Sequence, residues 1–177
     1  MSRENPKKIL FVCTGNSCRS VMAEAFFKQM NQGRSNLEIF SAGIGPEIGS
    51  AASPETISLL QKNGINVSYH RARALTTEMV QKADLIFVMQ KSHLKWIITK
   101  LPSAKNKTFL LADFHPEFKN EEIGIPDPIG MGDIFYENVG ELIKKCCEQI
   151  YYLVIRPTVE ESNTKRHSRV ATREFSL

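Results

Sequence analysis

The sequence predicts an α/β fold, a four-stranded parallel twisted sheet flanked by helices. Two observations carry this. The chain alternates short apolar segments with helical patterns, and Leu85-Ile86-Phe87-Val88-Met89 is continuously apolar, as in a strand covered on both faces. Such alternation favours parallel strands joined by right-handed crossovers.

Taken in order, Ile9 to Val12 is the first strand, and it runs through a small-residue turn into a helix that begins around Cys18. Val21, Met22, Ala25, Phe26 and Met30 recur at helical spacing, and Gly33 offers a stop. Leu37 to Ser41 reads as the second strand, and 42–52 as a Gly-rich loop. Ser53-Pro54-Glu55 is a helix start with cap, proline and acid in place, and Gly64 ends that helix. Thr76 caps a further short helix before the strand at 85–89. Leu94, Ile97, Ile98 and Leu101 give a helix that Pro102 terminates, and Thr108 to Leu111 is the fourth strand. A long loop carrying Asp127 leads to about Asp133. Phe135, Val139, Leu142, Ile143, Cys146, Ile150 and Leu153 then share one face of the last long helix.

Composition narrows the class. A chain of 177 residues suits one domain that buries about 70% of the surface exposed on unfolding. The expected organisation is a domain over residues 1–156 and a polar tail over 157–177. The net charge of +4 owes much to Lys165, Arg166, Arg169 and Arg173 in that tail, and is too small for a nucleic-acid signature. The first residues lack the apolar core of a signal peptide, and no stretch approaches the ~18 apolar residues of a membrane span. A cytoplasmic monomer is expected. The four cysteines are too few and too oddly placed for a disulfide framework, and the four histidines are scattered, so neither metal nor cofactor is expected.

The chemistry concentrates in Cys13-Thr14-Gly15-Asn16-Ser17-Cys18-Arg19. A loop of small and short polar residues can curl with its N–H groups inward, forming a nest for an anion. The following helix adds unsatisfied N–H groups and the positive end of its dipole. Helix N-termini and neighbouring cations favour thiolate, the nucleophilic form of cysteine, which makes Cys13 the candidate nucleophile. Arg19 supplies a planar fork for two oxygens of a tetrahedral oxyanion. Cys18 lies close enough in sequence to form a reversible disulfide with an oxidised Cys13.

Together with Ser20, this loop resembles that of the low-molecular-weight protein tyrosine phosphatases. The resemblance extends through Ser41-Ala42-Gly43, His70-Arg71-Ala72-Arg73, Ala83-Asp84-Leu85, Ser92-His93 and Asp127-Pro128, covering about residues 8 to 155. It implies a Rossmann-like sheet and a phosphatase domain acting on phosphotyrosine in a protein substrate through a phosphocysteine intermediate. By the same resemblance Cys13, Arg19 and Asp127 are catalytic, with Asp127 the general acid in preference to Asp113 or Asp133. Thr14, Gly15, Asn16, Ser17, Cys18 and Arg19 bind the phosphate, while Ser20, Ser41 and His70 support the loop.

The match departs from tyrosine-specific members at three places. Ile129-Gly130 and Ile44-Gly45 stand where those members carry aromatics that sandwich the phenyl ring, and Ser17 replaces a bulky aliphatic residue. The family's protein-arginine phosphatases use threonine, a small hydroxyl residue, at that last position, so phosphoarginine is the rival substrate. Arsenate reductases share the loop but need later relay cysteines, and none lies between Cys18 and Cys146. A silent phosphate-binding module is the remaining alternative. Nucleotide binding fits less well, because the glycines of 43–49 have the wrong spacing for a dinucleotide loop.

Overall fold

The computed structural model describes residues 6–32, 37–117 and 124–155. The expected stop at Gly33 and the tail over 157–177 lie outside them. Strands β1 (Lys7–Cys13), β2 (Leu37–Gly43), β3 (Leu85–Val88) and β4 (Thr108–Leu110) form one sheet in the order β2-β1-β3-β4. Every neighbouring pair is parallel. Helices α1 (Arg19–Met30), α2 (Pro54–Lys62), α3 (Thr77–Lys82), α4 (Lys91–Lys100) and α5 (Asp133–Ile150) complete the architecture.

The strand bounds shift slightly from expectation. β2 runs two residues past Ser41, because Gly43 pairs with Cys13 and also meets Ala74. β3 stops at Val88, although Met89 remains fully buried. Leu111 leaves β4 for a 3-10 turn over Leu111–Phe114.

β1 is the centre of the core, with Ile9, Leu10, Phe11 and Val12 all fully buried. A strand without a wet face explains its unbroken apolar sequence. The Phe11 ring packs 5.5 Å from that of Phe27 on α1 and 5.7 Å from that of Phe87 on β3. Removing such a ring leaves a cavity worth about 3–5 kcal/mol.

The helix signals act as read. Ser53 Oγ accepts the Thr56 N–H at 3.2 Å and Thr76 Oγ1 accepts the Met79 N–H at 3.2 Å. The inward face of α5 differs in part from the expected one. Tyr136, Val139, Gly140, Ile143, Cys146, Cys147 and Ile150 are buried. Phe135 and Leu142 are only partly covered, and Leu153 is exposed. Beyond Ile150 the helix widens into a π turn over Tyr151–Ile155, which changes the angular step on which the expected face depended. Both adjacent thiols are core groups: burial pushes Cys146 up to about 12 and Cys147 well above the ordinary value.

This topology positions the site. From β1 the chain crosses to β2 on one side and later to β3 on the other, so the carboxyl end of β1 lies where strand order reverses. Open parallel sheets bind ligands at such a point.

Candidate active site

Residues 14–18 join β1 to α1 as a tight loop. Its shape rests on two backbone features. Asn16 adopts a left-handed φ of 50°, which asparagine tolerates better than most residues. Gly43 on the neighbouring strand lies so close that a Cβ there would overlap the Thr14 carbonyl oxygen. The Ile44 and Gly45 N–H groups donate to the carbonyls of Cys13 and Thr14, each at 3.0 Å, and the Ser53 N–H donates to that of Ser17 at 2.9 Å.

Cys13 Sγ faces into this loop, accepting the Asn16 N–H at 3.2 Å and lying 2.9 Å from Ser20 Oγ. The neighbouring bonds fix the direction of the hydrogens. Glu24, ion-paired to Lys28, accepts from Ser41 Oγ at 2.5 Å. Asn16 Nδ2 donates to Ser41 Oγ at 2.8 Å and to Ser20 Oγ at 3.0 Å, while Asn16 Oδ1 accepts the Arg73 N–H at 3.0 Å. With the amide so oriented, the Ser20 hydrogen is left for the sulfur. Two donors, the Asn16 N–H and the Ser20 hydroxyl, thus converge on the sulfur. His70 Nε2 donates to the Asn16 carbonyl at 2.7 Å, so the expected support residues Ser20, Ser41 and His70 all meet around Asn16.

Arg19 is 2% exposed, in the first turn of α1. Its guanidinium donates to the Ile125 carbonyl at 3.1 Å and forms an ion pair with Asp127 Oδ2. The acid expected from Asp-Pro therefore stands beside the charge of the loop, although 108 positions separate the two residues. Asp127 Oδ1 also accepts the Ile129 N–H at 3.2 Å. Gly124 sets the approach of this segment, with φ 82° and no room for a Cβ beside the Met89 carbonyl.

Thr14 is exposed, Gly15 and Ser17 are half-buried, and Cys18 is buried. Burial pushes the Cys18 thiol up to about 11, despite hydrogen bonds with Thr56 and Tyr136. Both loop cysteines are free. Sequence reasoning missed Glu24, Arg73, His93 and Tyr136. Glu24 and Arg73 support Asn16 as described, Tyr136 lies against Cys18, and His93 contacts Thr14 at 2.9 Å. Only the Arg73 and His93 motifs gave any signal, as parts of matched segments without a role. Among the described residues no group of histidine, cysteine and acidic side chains could hold a metal ion, and no helix is long and apolar enough to cross a membrane.

A family model described as low molecular weight phosphotyrosine protein phosphatase matches residues 8–164. A low-molecular-weight protein-tyrosine-phosphatase of Acinetobacter johnsonii is 41% identical over 140 residues, 79% of this chain and 92% of its own. The solved YwlE arginine phosphatase of Geobacillus stearothermophilus superimposes with a TM-score of 0.78 at 31% identity, covering 88% of this chain and 97% of that one. The tyrosine phosphatase Wzb of Escherichia coli K30, solved in complex with sulphate, gives a TM-score of 0.71 at 31% identity, with 81% and 94% covered. The chain belongs to the low-molecular-weight protein tyrosine phosphatase family of hydrolases, which has arginine phosphatases among its members.

Proposed function

We propose that this chain hydrolyses phosphotyrosine in a protein substrate, using Cys13 as nucleophile, Arg19 with the loop N–H groups as the oxyanion clamp, and Asp127 as general acid. The observation that carries this reading is the convergence of the Asn16 N–H and Ser20 hydroxyl on Cys13 Sγ, with the buried Arg19 of the same loop ion-paired to the more exposed Asp127. Sulfur attacks phosphorus in line and the bond from phosphorus to the tyrosyl oxygen breaks. The leaving oxygen takes its proton from Asp127. The Asp127 carboxylate then takes a proton from water, whose oxygen attacks phosphorus, and the sulfur–phosphorus bond breaks to free phosphate and thiolate.

Charge stabilisation on the three equatorial oxygens falls to Arg19 and the N–H groups of 14–19. A bound phosphoryl group competes with Asp127 for Arg19, which turns the acid toward the leaving group. The domain over 1–156 carries the whole reaction in this reading, as a monomer in the cytoplasm, where the reducing environment keeps the nucleophile a thiol.

Phosphoarginine is the second reading, with a phosphorus–nitrogen bond broken instead. Ser17 and the aliphatic pair Ile44 and Ile129 favour it. So do Gly45 and Gly130, about whose Cα atoms the space is open where a phenyl ring would need walls. The test is phosphate release from phosphotyrosine and phosphoarginine peptides by one preparation, beside an aryl phosphate assayed with a chelator. Hydrolysis that survives the chelator is the expected result. No hydrolysis of any of the three would overturn the reading in favour of a silent module.

A further inference from the structure

The start of the phosphate loop has a further support from α4. Thr14 Oγ1 lies 2.9 Å from His93 Nε2, and His93 Nδ1 accepts the Gln90 N–H at 3.1 Å. That N–H is one of the donors a helix start leaves without an intrahelical partner. A backbone N–H can only donate, so Nδ1 holds a lone pair, and the one hydrogen of a neutral imidazole sits on Nε2. Burial, aided by the charge of Arg19 and opposed by that of Asp127, holds the ring down to about 4, so it is neutral at ordinary pH. The bond therefore runs from Nε2–H to the Thr14 hydroxyl.

His93 also sits where three segments meet. The turn before α4 is tied to β1 by the Met89 N–H on the Val12 carbonyl at 3.1 Å. It is tied to the Asp127 segment by the Ile125 N–H on the Met89 carbonyl at 2.8 Å. A ring 1% exposed at that junction, with both nitrogens engaged, has one geometry available. We propose that His93 is a positioning residue for phosphoryl transfer, pinning the first turn of the Cys13 loop through the Thr14 side chain so that the loop N–H groups meet the oxyanion in fixed register. This rests on the reading of residues 13–19 as the oxyanion site.

The test compares Thr14→Val, His93→Met, His93→Gln and the double variant Thr14→Val/His93→Met. It measures kcat and KM on an aryl phosphate and, by calorimetry, the affinity for inorganic phosphate. Calorimetry needs no turnover, so an inactive wild type that still binds phosphate sinks the catalytic reading while leaving this one measurable. Thr14→Val and His93→Met each lower phosphate affinity and kcat/KM about tenfold, the scale of one neutral hydrogen bond. The double variant is no weaker than the weaker single. His93→Gln, whose amide offers an acceptor to Gln90 and a donor to Thr14, recovers to within about twofold of wild type. Nitrogen NMR shows the hydrogen on Nε2, and Thr14→Val shifts that resonance. Additive losses in the double variant, a hydrogen on Nδ1, or His93→Gln as weak as His93→Met would each overturn the proposal. Should His93→Met fail to fold, the tautomer and the two remaining single variants decide it alone.

Discussion

The two segments that meet at Arg19 are anchored to very different degrees. Residues 13–20 hang on many bonds, from β2, from the 70–73 segment, from α1 and from α4, made by buried and part-buried groups. The segment carrying Asp127 reaches the site through Arg19, one turn bond to Ile129 and the Ile125 backbone, and the Asp127 side chain is 41% exposed. Under the proposed mechanism this difference is a division of labour. A nucleophile and its oxyanion donors profit from geometry set before the substrate arrives. A proton donor that must release Arg19 and follow the leaving group profits from fewer ties.

The largest effect is expected at the rigid end. Cys13→Ser lowers kcat by about 10⁴-fold or more, because the weaker nucleophile occupies the same nest, while phosphate still binds. Loss of phosphate binding in that variant would show that the sulfur itself shapes the loop. Asp127→Ala tests the looser segment. It lowers kcat by about 10²–10³-fold for poor leaving groups and far less for good ones, with phosphate affinity no weaker than wild type. Equal losses for both classes of leaving group would show that Asp127 matters through Arg19 alone.

Asn16→Ala is the converse experiment. It removes three side-chain bonds at a left-handed residue, so phosphate affinity falls together with about 2–4 kcal/mol of stability. Unchanged phosphate affinity would show that the loop holds its shape without this residue. The smallest effect concerns pH. The His93 ring ordinarily titrates at 6.5 but at about 4 in the fold, where Arg19 and Asp127 face it. Between those values the unfolded chain binds the proton and the native chain does not, so stability falls as pH drops from 6.5 towards 4. The loss is about 2 kcal/mol, and denaturant titrations of His93→Gln should lack that slope.

Much of the molecule was legible in advance because its signals are local. Strand β1, the capped starts at Ser53 and Thr76, and the Cys13 loop are each read within a few consecutive residues. Asp127 was reached through a dipeptide that matches a family pattern. By contrast, nothing near Glu24 in the sequence separates it from other exposed-looking helix acids. Its role depends on Ser41, 17 positions away, and through it on Asn16. His93 stands in the matched segment Ser92-His93, but nothing in that segment gives it a role.

The sequence alone determined which groups are available: a thiol, a guanidinium, a carboxyl group and a loop small enough to curl, each placed at the end of a recognisable element. The tertiary structure decided what those groups touch. Asn16 is held by His70 and Arg73, 54 and 57 positions on, and Thr14 by His93, 79 positions on. Periodicity and turn chemistry report on neighbours along the chain. The direction of a hydrogen bond, and the burial that keeps an imidazole neutral, exist only once β1, β2 and β3 bring distant segments to a common edge.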